Sequence, residues 1–191
     1  MSRKTLTAVN PANDKVIGEH EMLSEPEIRA KLDAARHGFA ELRKLPVAAR
    51  ARKLHAVADL IDKRQADIAE VICHEMGKKF GDVIAETRIS AAIVRFYADN
   101  AEDYMAPKPK QVAGAQKAEV VRDPMGAVLG VMPWNYPLYQ VVRFAAPNLA
   151  GGNACLLKHA SNVPGSAKLI TQLFHDAGFE DGTFTWLPVS S

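Results

Sequence analysis

Ala127-Val-Leu-Gly-Val-Met132, Ala154-Cys-Leu-Leu157 and Thr183-Phe-Thr-Trp-Leu187 are three short apolar runs whose reading decides the fold. The first follows the turn Asp123-Pro-Met-Gly126 and is apolar throughout, the pattern of a strand buried on both faces. Between the runs lie two stretches with helical character, about Leu138–Ala150 and about Pro164–Ala177, the second stopped by Gly178. Parallel neighbours need a crossover between them, and a helix supplies it, so strand–helix–strand–helix–strand predicts βαβ units and a parallel sheet. A doubly wound sheet has two such halves, and residues 123–191 account for one.

Upstream the chain is mostly helical. Residues 5–21 have a weak extended look, turning at Asn10-Pro-Ala-Asn-Asp14. Ser24 and Glu27 fit a capping box, with Glu25 and Pro26 suited to a first turn. Ile28, Leu32, Ala35, Phe39 and Leu42 then recur at helical spacing, ending near Pro46. A second helix is expected over about Ala48–Met76, stopped by Gly77, and a third over about Gly81–Tyr104 with Ile89, Ile93, Phe96 and Asn100 on one side. Pro107-Lys-Pro109 reads as a stiff linker, and Gln111–Arg122 as a strand or hairpin arm interrupted by Gly114. The fold class is therefore α/β: a helical layer over 1–106, an arm over 107–122, and the first βαβαβ half of a Rossmann-like parallel sheet over 123–191.

Composition narrows the function. The 191 residues carry 24 Lys and Arg against 22 Asp and Glu, interspersed, which argues against an electrostatic nucleic-acid binder. With 48% hydrophobic and 24% charged residues the chain is built to fold. Its two cysteines, Cys73 and Cys155, make no disulfide framework and have no metal-ligand spacing, so no metal is expected. No signal peptide or membrane span is legible, and a cytoplasmic protein is the expectation.

In an open α/β sheet ligands bind beyond the carboxyl ends of the strands. Two segments fall there. Pro133-Trp-Asn-Tyr-Pro137 is a rigid turn whose Asn135 amide can donate to an oxyanion; equally, Trp134 and Tyr136 can be core aromatics and Asn135 a backbone partner. Lys158-His-Ala-Ser161 precedes a helix N-terminus, where a lysine suits a phosphate or a ribose hydroxyl, or is an ordinary loop residue. No G-x-G-x-x-G or Walker A loop is present.

Taken together, Pro133-Trp-Asn-Tyr-Pro137, Pro147-Asn-Leu-Ala-Gly-Gly-Asn153 and the Lys158 loop closely resemble the aldehyde dehydrogenase superfamily, as do Ala177-Gly178, Gly182, the helical first part and the Asn10-Pro11-Ala12 start. The resemblance covers essentially the whole chain. It implies that Asn135 is the oxyanion donor, that Met132, Pro133, Trp134, Asn135, Lys158 and Ser161 contact the cofactor, and that Lys158 meets the adenosine ribose. Ser161 stands where NAD-specific members usually carry a glutamate. Serine cannot repel a 2′-phosphate as a carboxylate would, so the cofactor is NADP or NAD, with NADP favoured. His159 departs from the common Lys-Pro pattern and is read as facing either the 2′-phosphate or solvent.

Arg143 lies eight residues after Asn135, little more than two helical turns, so both can face one channel. In succinate-semialdehyde dehydrogenases an arginine at this spacing is similar in position and receives the substrate's distal carboxylate; the other readings are a surface arginine or an internal salt bridge. Leu138–Arg143 and Leu156–Ala160 resemble the bacterial succinate-semialdehyde group. The resemblance further implies a homo-oligomer in which the arm takes part. It implies too that the catalytic cysteine, the general-base glutamate and the Gly-rich cofactor turn lie outside this sequence. Cys155, within a strand, and Cys73, on a helix, read as structural. The expectation is an N-terminal portion of a dehydrogenase, inactive alone; the other readings are a non-catalytic nucleotide-binding or subunit-pairing module, and one half of a split enzyme.

Overall fold

The computed structural model describes residues 4–180 and 182–190; positions 1–3 of the predicted 1–106 layer and 181 and 191 of the predicted 123–191 half lie outside the described residues. Strands β1 (Thr5–Asn10) and β2 (Lys15–Glu21) form an antiparallel hairpin. At its turn the Asn10 side chain accepts the Ala12 amide at 2.9 Å, and Asp14 takes a positive φ of 56°. Helix α1 (Glu25–Leu42) begins as predicted: the Glu27 carboxylate accepts the Ser24 amide at 2.8 Å and the Ser24 hydroxyl at 2.6 Å.

The single helix expected over Ala48–Met76 is two, α2 (Val47–Lys63) and α3 (Gln65–Met76), broken at Arg64 with φ −109° and ψ 24°. The break is tertiary in origin. Leu54, Val57 and Ile61 of α2 and Ile68, Ala69 and Ile72 of α3 are all buried, α2 packing against the helices over 80–105 and 137–151 and α3 against those over 80–105 and 164–176. Gly77 ends α3 in the left-handed region, φ 70°. Helix α4 (Phe80–Met105) matches the third predicted helix to within one residue at each end. The stripe through Ile89 and Phe96 faces outward, each residue about half exposed, and the core face is Val83, Ala91, Val94, Ala98 and Ala101 with Glu86, Thr87 and Ser90. Small side chains on that face let α4 lie close along α2 and α5.

The arm is a hairpin whose pairing is confined to β3 (Lys108–Pro109) and β4 (Glu119–Val120), so its first strand falls within the predicted linker. Next come β5 (Ala127–Met132), α5 (Pro137–Gly151), β6 (Ala154–His159), α6 (Pro164–Asp176) and β7 (Phe184–Trp186). The three strands form a parallel sheet in the order β5-β6-β7, as the sequence predicts. Alternation along β6 separates two faces. Cys155 and Leu157 join the main core with α5, α6 and the helical layer, whereas Leu156 packs with Ala35 of α1 and Leu187. The expectation that β5 is buried on both faces does not hold. Leu129 and Val131, on the Leu156 side, are 54% and 65% exposed, because α1 packs mainly on the central strand β6 and leaves them uncovered. On the other face a Cβ at Gly130 would stand 2.7 Å from the Phe144 ring, so the glycine is what lets α5 settle on the strand.

Candidate active site

Residue placement here follows from strand register. Val131 stands opposite Lys158 and Met132 opposite His159, so the turn leaving β5 and the loop leaving β6 start side by side at the carboxyl edge of the sheet. Asn135 is exposed on the first of these, and its amide makes no hydrogen bond with another described residue. Trp134 and Tyr136 are about half exposed, so they are not core aromatics. Lys158, next to the last residue of β6, and Ser161, on the second loop, are half-buried.

Two carboxylates that the sequence reading passed over hold these loops from beneath. Glu86, buried on α4, accepts the amides of Leu138 and Tyr139 at 3.0 and 3.1 Å, which are free donors in the first turn of α5. Its other oxygen meets Lys78 Nζ at 2.6 Å, and that ammonium lies 3.7 Å from the Tyr136 ring centroid. Glu75 of α3 does the same for α6: it accepts the Gly165 amide at 2.6 Å and the Ser166 amide and hydroxyl at 2.7 and 2.6 Å. A signal for Glu86 existed, since a carboxylate at helical spacing between Val83 and Ser90 on an apolar face demands a buried partner. The α6 N-terminus that Lys158 precedes is thus capped from within the protein. An anion at this loop must be held by side chains such as Lys158 and Ser161, not by the Gly165 and Ser166 amides.

His159 corrects the reading of an outward-facing loop residue. It is 2% exposed; its Nε2 donates to the Pro137 carbonyl at 3.1 Å, and its Nδ1 accepts the Ala160 amide at 2.8 Å. Burial, with the neighbouring Lys158 charge adding to it, pushes its pKa down to about 4.

Arg143 is exposed on α5, its guanidinium 5.2 Å from the Tyr139 ring centroid, and no carboxylate among the described residues pairs with it. The internal salt bridge is therefore not what the structure holds. Tyr139 also meets Tyr136 edge-on, so Lys78, Tyr136, Tyr139 and Arg143 form a continuous file along the start of α5. Arg143 borders a shallow cleft of about 300 Å³ lined by Ala92, Ile93, Phe96 and Tyr97 of α4. Trp134 lines a different cleft with Asn162, Glu75 and the β1 hairpin, and Asn135 lines neither. Of the two cysteines, Cys155 is fully buried in β6 and Cys73 is half-buried; burial raises both thiols above their usual pKa, the reverse of an activated nucleophile. No helix among the described residues is long and apolar enough to cross a membrane.

The sequence profile of the aldehyde dehydrogenase family matches residues 1–191. A probable NADP(+) succinate-semialdehyde dehydrogenase of Synechocystis sp. is 42% identical over 182 residues, which are 95% of this chain and 40% of the relative. The NADP(+) succinate-semialdehyde dehydrogenase of Deinococcus radiodurans is 38% identical, over 95% of this chain and 38% of the relative. Among solved structures, succinic semialdehyde dehydrogenase from Streptococcus pyogenes in complex with NADP+ superposes with a TM-score of 0.93 at 31% identity, covering 96% of this chain and 40% of that one. The chain belongs to the aldehyde dehydrogenase family. It spans about 40% of the length of the curated relatives it matches.

Proposed function

We propose that this chain is the cofactor-binding part of an NADP-dependent aldehyde dehydrogenase that oxidises succinate semialdehyde to succinate. The observation that carries the substrate is Arg143: a guanidinium exposed, unpaired with any described carboxylate, at the rim of an apolar cleft, on the helix that follows the Asn135 turn. An aldehyde with a distal carboxylate fits that layout, the carboxylate on the guanidinium fork and the short carbon chain along Ile93 and Phe96. Relatives named for succinate semialdehyde and NADP(+) point the same way.

Lys158 and Ser161 fit the phosphorylated ribose of NADP: an ammonium and a hydroxyl on a half-buried loop, with no carboxylate at position 161 to repel it. NADP, when bound, supplies the hydride acceptor. Asn135, its amide uncommitted among the described residues, donates to the oxygen of the aldehyde as negative charge develops there; losing such a donor costs on the order of 10²–10³ in rate. Met132, Pro133 and Trp134 form the surface against which the cofactor rests. Neither Cys73 nor Cys155 can serve as the nucleophile, so the 191-residue chain alone binds nucleotide without turnover. The arm over 107–122 joins subunits of a homo-oligomer, and the reaction takes place in the cytoplasm.

A second reading has its own support. β5 is an edge of the described sheet and its Leu129 and Val131 are bare, a surface that a separate polypeptide could complete as in a split enzyme. The test is a chimera in which this chain replaces the corresponding part of the Synechocystis relative. It is expected to reduce NADP+ with succinate semialdehyde far faster than with butanal, and Arg143→Leu is expected to erase that preference. Equal rates with the two aldehydes in the unsubstituted chimera would remove the proposed substrate.

A further inference from the structure

We infer that His159 is a positioning residue that ties the ribose loop, Lys158–Ser161, to the turn Pro133–Pro137, so that one dinucleotide meets both as a single rigid surface. The inference rests on the cofactor reading above and goes beyond it by naming what keeps the two loops in register.

The β5–β6 ladder ends at Met132 and His159, and beyond it the two chains separate, one into the Trp134–Tyr136 turn and the other into Ala160–Val163. Two neighbouring loops with exposed residues would move independently. The imidazole spans the gap, with one nitrogen on the Ala160 amide of its own loop at 2.8 Å and the other on the Pro137 carbonyl at 3.1 Å. A neutral imidazole offers one acceptor and one donor on a rigid ring, and both are used here. Pro137 has no amide hydrogen of its own, and the next two amides, Leu138 and Tyr139, are committed to Glu86. The turn is therefore fastened to α4 through Glu86 and to β6 through His159. A lost hydrogen bond in such a bridge leaves each loop folded but frees their relative placement, which weakens a ligand that touches both and spares one that touches only one.

Two conservative replacements separate bridge from packing. His159→Gln places an amide nitrogen near the former Nε2 and keeps the Pro137 bond. His159→Asn reaches only as far as the former Nδ1 and keeps the bond to Ala160 alone. Calorimetric titration of the 191-residue chain with NADP+, which spans both loops, and with 2′,5′-ADP, which reaches the ribose loop only, gives the readout. The expected result is that His159→Asn weakens NADP+ about tenfold and leaves 2′,5′-ADP within about twofold, while His159→Gln stays near the unsubstituted chain for both. Equal weakening of both ligands by His159→Asn, no weakening of either, or the same loss in His159→Gln would overturn the bridge while leaving the cofactor reading intact. Failure of the unsubstituted chain to bind either nucleotide overturns the cofactor reading and the bridge with it. If His159→Asn does not fold, the Nε2–H proton resonance of His159 in the unsubstituted chain decides: it must shift when NADP+ is added, and an unmoved resonance at saturation rejects the bridge.

Discussion

Glu75 and Ser166 stand 91 positions apart, yet the Glu75 carboxylate takes both the amide and the hydroxyl of Ser166, at 2.7 and 2.6 Å. A helix of the first layer thereby supplies the cap for a helix of the sheet layer. A Cβ on the adjacent Gly165 would come within 2.8 Å of the same carboxylate, so the glycine is what admits it. Burial raises the Glu75 carboxyl above its usual pKa, and the three hydrogen bonds pull it back.

Glu75→Ala leaves the Gly165 and Ser166 donors buried without a partner, and it is expected to cost about 2–4 kcal/mol in urea unfolding. Glu75→Gln keeps an acceptor and should cost less than half of that. Equal stability of Glu75→Ala and the unsubstituted chain would show that the cap contributes nothing.

His159 makes a pH prediction. Its pKa falls from the ordinary 6.5 to about 4 in the folded chain, so between those values the unfolded state binds a proton that the native state refuses. Its contribution is therefore complete above pH 6.5 and is lost as pH falls toward 4, by on the order of 3 kcal/mol. Glu75 acts in the opposite sense: with a raised pKa, its contribution shrinks as pH rises past 4.5. Comparing the unsubstituted chain with His159→Gln, in which Glu75 is unchanged, isolates the histidine. The stability advantage of the histidine chain should decline steadily from pH 7 to pH 4; a constant difference would contradict the assignment.

Ser161→Glu is expected to lower NADP+ affinity by about 10- to 100-fold, because a carboxylate then faces the 2′-phosphate. NAD+ binding should hold or improve. The two dissociation constants, measured by calorimetry, give the answer directly; parallel changes would mean that position 161 does not face the ribose.

Gly38 and Gly81 should respond oppositely to alanine. A Cβ at Gly38 would sit 2.5 Å from the Gly182 carbonyl carbon, where α1 closes on the loop before β7, while one at Gly81 meets nothing within 4 Å. Gly38→Ala is expected to destabilise by about 3 kcal/mol or more, and Gly81→Ala, on α4, to stabilise by about 0.5–1 kcal/mol. Thermal unfolding followed by circular dichroism checks both.

Local signals made much of this structure legible. Gly77 and Gly178 both take the positive φ expected of helix stops, Glu27 caps Ser24, and the three apolar runs become the three parallel strands in order. What stayed hidden depends on distant partners. Nothing in Asp62-Lys-Arg-Gln65 disfavours helix; Arg64 leaves the helical region where α2, packed on α4 and α5, gives way to α3, packed on α4 and α6. Leu129 and Val131 are as apolar as any covered strand residue, and only the path of α1 shows that they are bare. His159 reads as a loop residue until the Pro137 carbonyl, 22 positions earlier, is brought beside it. Of the proposed site, the strand-end positions of Asn135, Lys158 and Ser161 were readable from topology. The spacing around Glu86 marks a buried carboxylate, but the partners of Glu75 and Glu86 were not readable, since each caps a helix far along the chain.

The most direct test of the central claim is calorimetric titration of the 191-residue chain, unsubstituted and as Lys158→Ala, with NADP+ and with NAD+. The predicted result is saturable binding of NADP+, tighter than that of NAD+, and loss of at least tenfold in affinity for NADP+ on removing Lys158. Binding of neither nucleotide, or NADP+ affinity untouched by Lys158→Ala, would contradict a cofactor site at the carboxyl ends of β5 and β6.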